Sequence, residues 1–209
     1  MIREHFLPLR LYNLVQGATL YRPTQRLPER VTLESSALDV MTDLKQVPAQ
    51  TIEPEASIEA ANAKMIRQGV RLLFVVDAQD RILGLITATD ILGEHVVKTM
   101  HARGVSRQDV LVREIMTPRE RLEAIDVEDV RAAKVGHVLS TLKQSGRQHA
   151  IAVEVNRRSF HETLTTPSMP LHTVCGLFST TQIARQLGLQ LHSAEIATTF
   201  AEVEALLAH

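Results

Sequence analysis

Cysteine is nearly missing from this 209-residue chain, where Cys175 stands alone. A single thiol cannot close an internal disulfide, so packing must hold the fold, and a reducing cytoplasm is the expected compartment. Tryptophan is absent, aromatic residues make up only 3%, and the net charge is −1. Nucleic-acid binders carry a basic stripe, often with aromatic stacking platforms, so no nucleic-acid partner is expected. Long apolar runs are also lacking. Stretches such as Leu72 to Val76 fall far short of the roughly 20 residues a membrane-spanning helix needs. The opening Met1-Ile-Arg-Glu-His-Phe6 has no apolar run followed by a cleavage site, so neither secretion nor a membrane partner is expected.

Catalytic and metal-binding signatures are missing as well. None of the nine histidines sits in His-x-His or His-Glu-x-x-His spacing, and Cys-x-x-Cys, Gly-x-Ser-x-Gly, Walker and dinucleotide fingerprints do not occur. His172 and Cys175, three apart on an extended segment, point to opposite faces. The chain reads as a non-enzyme without a metal. What it does have is an ordinary globular composition, 44% hydrophobic and 22% charged, enough to build a core and too apolar for disorder.

It also has an internal repeat. Met41-Thr42 recurs as Met116-Thr117, Gly69-Val-Arg-Leu-Leu-Phe-Val-Val76 as Gly146-Arg-Gln-His-Ala-Ile-Ala-Val153, and Gly84-Leu-Ile-Thr-Ala-Thr-Asp-Ile91 as Gly176-Leu-Phe-Ser-Thr-Thr-Gln-Ile183. The spacing between copies widens along the chain, so the second copy carries a small insertion before its first helix and a larger one between its last two strands. That larger insertion, 156–172, is polar and holds two prolines, which marks an exposed excursion.

Each copy reads as strand, helix, strand, strand, helix. In the first, Val47–Ile52 is extended, and Ser57 caps a helix whose apolar stripe is Ile58, Ala61, Met65 and Ile66. Gly69 closes that helix in the left-handed region. Leu72–Val76 is a buried strand, Asp77–Asp80 a turn, and Ile82–Ile86 the returning strand. A second helix runs from Thr89 to about Met100. In the second copy Val135, Val138, Leu139 and Leu142 line the helix, Gly146 ends it, and the strands are Ala150–Val155 and about Thr173–Phe178. Residues 1–37 form an arm with Pro8, Pro23 and Pro28, and Ser193–Leu207 is a final helix with Ile196, Phe200, Val203 and Leu207 on one face.

The corner Gly84-Leu-Ile-Thr87-Ala-Thr-Asp90 carries the most chemistry. Gly84 allows close backbone approach. Asp90 offers two oxygens to a ribose cis-diol, and Thr87 and the free N–H groups at the helix start favour a phosphate. The same Thr-x-x-Asp pattern is also a capping box that needs no ligand, and both readings stay open. In the second copy the corner is Ser179-Thr-Thr-Gln182. The capping pattern is retained, while the amide of Gln182 takes two hydroxyls less well than a carboxylate.

A Met-Thr start, a strand ending near proline, a helix, Gly-x-x-x-x-hydrophobic-Val-Val-Asp, a hairpin and Gly-h-h-Thr-x-x-Asp together resemble the CBS domain. Two in tandem, over about residues 38–190, resemble a Bateman module. The resemblance implies an α/β (α+β) fold of two βαββα units with facing sheets: an arm over 1–37, repeats at 38–105 and 106–190, and a C-terminal helix over 191–209. It implies a regulatory module that binds AMP, ADP, ATP or S-adenosylmethionine, with no obligatory cofactor, and pairs into a homodimer, with a protein effector as a further partner. It places Thr51, Arg71, Leu72 and Leu73 at the base-binding edge of a first site with Thr87 and Asp90. Gln148, His149, Ser179 and Gln182 fall at a weaker second site, where a protonated His149 could assist a phosphate. Phe74 departs from the family's usual proline and reads as core. The alternative is a structural dimerisation module without nucleotide. A third reading is an enzyme using 156–172 as a lid. For the dimer, Ile91, Leu92 and Val96 are the apolar helix positions expected to need cover.

Overall fold

The structure, a computed structural model, describes Arg10, Asn13, Gln16 and residues 24–156 and 171–189. Most of the arm, most of the insertion and the expected helix at Ser193–Leu207 lie outside the described residues.

The first repeat supplies β2 (Thr51–Ile52), α1 (Ile58–Gln68), β3 (Leu72–Val76), β4 (Ile82–Thr87), α2 (Ala88–Leu92) and α3 (Glu94–Arg103). The second supplies β6 (Ala124–Asp126), α5 (Val127–Ala132), α6 (Val135–Ser145), β7 (His149–Asn156), β8 (Leu171–Ser179) and α7 (Thr180–Leu187). Each repeat is preceded by a two-residue strand at its Met-Thr pair: β1 (Thr42–Asp43) and β5 (Thr117–Pro118), the latter following the short α4 (Val112–Ile115). Local chemistry sets these boundaries. The Ser57 hydroxyl accepts the Ala60 N–H, and α1 and α6 both end on left-handed glycines, Gly69 and Gly146.

Two four-stranded sheets result, in the orders β2-β3-β4-β5 and β6-β7-β8-β1. In each, the first pair is parallel and the others antiparallel. The two sheets are therefore topological copies, down to a shift in register at Val75/Val76 in one and at the matching Ala152/Val153 in the other. All five residues of β3 are buried, because the strand is covered on both faces. Leu72, Phe74 and Val76 point toward the other sheet and meet Ile151 and Val153, whereas Leu73 and Val75 point toward the helices. The layers run helices, sheet, sheet, helices.

The Met-Thr strands cross over. β1 precedes the first repeat yet pairs with β8 of the second, and β5 precedes the second yet pairs with β4 of the first. Their flanking residues follow them. Ala37, Val40 and Met41 complete the core of the second repeat, and Val110, Val112 and Ile115 that of the first. Each repeat thus closes its core with the other's leading segment. Close approach at the crossing requires glycine. A Cβ on Gly84 would run into the Thr117 carbonyl oxygen, and one on Gly176 into the Met41 sulfur.

Several expectations need correction. The helix expected from Thr89 to Met100 is two helices, broken at Gly93, whose extended backbone (φ −80°, ψ 168°) ends α2 and begins α3. Ile66 is 72% exposed rather than part of the buried stripe of α1. Ile91 and Val96 are wholly buried in the first core, and among the three positions expected to need outside cover only Leu92, at 80% exposure, lies open. The second hairpin extends further than expected, with Asn156 pairing Leu171, so the insertion leaves and re-enters in register. Among the described residues, no helix is long and apolar enough to cross a membrane.

Candidate functional site

Each sheet delivers a strand-to-helix corner to the space between the repeats, and the two corners differ. At the first, the Thr87 backbone N–H and hydroxyl both donate to Asp90 Oδ2 at 2.7 Å, and the Asp90 N–H donates back to Thr87 Oγ1 at 3.3 Å. The capping box is fully made. One carboxylate oxygen is committed to the helix start; Oδ1 receives no hydrogen bond from the described residues.

At the second corner the expected capping box is not made. The Ser179 side chain accepts no hydrogen bond from the start of α7. Gln182 turns instead toward the crossing strand, accepting from the Thr42 hydroxyl at 3.4 Å and donating to the Val40 carbonyl at 3.4 Å and to Gln186 Oε1 at 3.5 Å. The physical reason is reach: the amide group is a donor as well as an acceptor, and the crossing strand offers it carbonyls. These contacts are long, so the Gln182 amide is held loosely. Gln186 is held tightly, donating to the Pro28 carbonyl at 2.7 Å and to that of Asp39 at 3.0 Å.

A cavity of about 520 Å³ opens beside this second corner, within the range of small-molecule sites. Its walls are apolar, with Leu44, Leu72, Phe74 and Leu177, and its polar groups include Arg71, His149, Ser179 and Gln182. The structure therefore brings Arg71 and Leu72, expected at the first site, together with His149, Ser179 and Gln182, expected at the second. Thr51, Leu73, Gln148, Thr87 and Asp90 do not line it. Leu73 is wholly buried on the helix side of β3, which leaves its side chain no access. Thr51 lies on β2 opposite Phe74. Gln148 bridges the repeats, its side chain accepting from the Thr89 hydroxyl at 3.5 Å and its backbone carbonyl accepting from Thr180. Phe74 serves twice: it is 3% exposed, packed between the sheets, and its edge reaches the cavity wall.

His149 stands between this cavity and a smaller one of about 390 Å³ lined by Glu123, Thr141 and Arg147. Burial, with the Arg71 guanidinium nearby, lowers its pKa from 6.5 to about 4. The imidazole is therefore neutral at pH 7, so the condition under which His149 could assist a phosphate, its protonation, is not met there. Sequence reasoning missed Leu27, Pro28 and Thr42, because these come from the arm and from the crossed strand. It also missed Arg185, one turn beyond Gln182 on α7, which the i, i+3 spacing alone would have placed on the same face.

Two interlocked βαββα units, each completing the other and enclosing a cavity between their sheets, define a tandem-repeat module of the Bateman type. Residues 37–97 match the family model of the CBS domain, and the second unit repeats the topology of the matched one. No curated protein matches the chain in sequence. Among solved structures, it is similar to an uncharacterized conserved protein from Pyrococcus horikoshii, at 18% identity and TM-score 0.50, over 78% of this chain and 100% of that one. It is similar also to the CBS-domain pair of protein MJ0100, solved with 5'-methylthioadenosine and S-adenosyl-L-methionine, at 19% identity and TM-score 0.47 over 74% and 96% of the two chains. A third is the CBS-domain containing protein ATU1752 from Agrobacterium tumefaciens, at 15% identity and TM-score 0.48 over 74% and 94%.

Proposed function

We propose that the chain is a non-catalytic regulatory module that holds an adenosine-containing ligand in the larger cavity and passes its occupancy to a dimer or partner surface. The observation that carries this reading is the cavity itself. It is the right size for a nucleoside ligand, has apolar walls for a base, and ends at a strand-to-helix corner whose amide, Gln182, makes only long hydrogen bonds. AMP, ADP, ATP and S-adenosylmethionine all belong to the ligand class. Leu72, Phe74 and Leu177 would flank the base, with Ser179 and Gln182 at the sugar.

Thermal unfolding with each of these ligands tests the proposal. At about 100 times its dissociation constant a ligand adds roughly 2.7 kcal/mol, a rise in melting temperature of about 5–10 °C for a chain of this size. A folded protein whose melting temperature moves with none of them is a structural dimerisation module instead.

A further inference from the structure

We propose that the larger cavity selects its ligand by charge, taking an adenosine that carries a phosphate chain and rejecting the sulfonium of S-adenosylmethionine. This rests on the cavity being the nucleotide site. Two guanidiniums, Arg71 entering β3 and Arg185 on α7, line it from opposite repeats, and among the described residues no aspartate or glutamate lines it. Several arginines elsewhere are neutralised: Arg103 pairs with Glu114, Arg107 with Glu59 and Arg113 with Glu55. Among the described residues, neither Arg71 nor Arg185 has a carboxylate partner. Both are exposed while Leu72 and Phe74 are buried, so the positive charge sits at the mouth and the apolar surface lies within. A base seated against Phe74 would send its phosphates outward to the arginines, where guanidinium and phosphate make paired, charge-assisted hydrogen bonds.

The two corners differ in charge. A carboxylate at the sugar position would partly cancel an incoming phosphate's attraction and would favour a cation. Asp90 stands at the first corner, but the cavity's own corner has the neutral Gln182. The substitution that weakens recognition of a diol also removes the one negative charge that would welcome a sulfonium.

Calorimetric titration of the full chain with adenosine, AMP, ATP, S-adenosylmethionine and inorganic tripolyphosphate tests this. Affinity should rise from adenosine to AMP to ATP and fall with added salt, and S-adenosylmethionine should bind at least tenfold more weakly than ATP. Arg71→Gln should weaken ATP about ten- to a hundredfold and leave adenosine nearly unchanged, and Arg185→Gln, at an exposed helical position, should act in the same direction. Equal affinity for ATP and S-adenosylmethionine, or for adenosine and ATP, would overturn charge selection while leaving the nucleoside site standing. Tripolyphosphate binding as tightly as ATP, with no adenosine binding, would keep the charge selection and overturn the nucleoside reading. Failure of all five ligands to bind folded protein would overturn both.

Discussion

His149 shows how a single position joins stability to the site. Its pKa, lowered to about 4 from 6.5 by burial and by Arg71, means the folded state resists protonation and the unfolded state does not. The contribution is therefore complete above pH 6.5 and is lost as pH falls toward 4, at about 2 kcal/mol between pH 6.5 and 5. Urea midpoints should fall over that interval, and His149→Gln should flatten the decline; an unchanged slope would mean that His149 is solvated. The two crossing glycines give a second residue-scale test. The clash at Gly84 is with backbone, the Thr117 carbonyl, whereas that at Gly176 is mainly with the end of the flexible Met41 side chain. Gly84→Ala should cost about 1–3 kcal/mol and Gly176→Ala clearly less, as read from melting temperatures. Equal losses would mean that Met41 cannot move aside.

At the scale of elements, the repeated patterns made the hairpins and the two long helices legible, because alternation, helical stripes and closing glycines are local signals. The crossing of β1 and β5 was not legible. A two-residue strand has no period, and which sheet it joins depends on contacts such as Thr42 with Leu177 and Thr117 with Leu85, each far away in sequence. The same crossing explains why the site was only partly legible: the corner residues were found from motif spacing, but the cavity mixes Arg71 and Leu72 of one repeat with His149 and Gln182 of the other. The crossing has a measurable consequence. Ile115, which belongs to the second repeat's leading segment, is buried in the first core, and Val40 in the second. Ile115→Ala, at about 2–5 kcal/mol, should lower hydrogen-exchange protection first in Leu72–Val76, and Val40→Ala first in Ile151–Val153. Loosening of each residue's own repeat instead would contradict the interlocked packing.

The whole molecule presents two faces with different roles. Between the sheets, Leu72, Phe74, Ile151 and Val153 lock the repeats together, and at the cavity rim Gln182 and Gln186 join the crossed strand to residues 28 and 39. On the outer surface Ile66, Leu92 and Val97 are exposed on α1, α2 and α3, and the proposal that the chain forms a two-fold homodimer draws on them. Light scattering at micromolar concentration should give twice the 23.3 kDa chain mass, and Leu92→Glu should return it to one chain; a monomer in the parent would remove the dimer from the account. The central claim is that the ligand sits at the Gln182 corner and not at the Asp90 corner, and one measurement bears on it most directly: calorimetric titration of ATP into the parent, Asp90→Ala and Arg71→Gln chains. The account expects one site per chain, retained in Asp90→Ala and weakened at least tenfold in Arg71→Gln, whereas binding lost in Asp90→Ala and intact in Arg71→Gln would place the ligand at the other corner and contradict it.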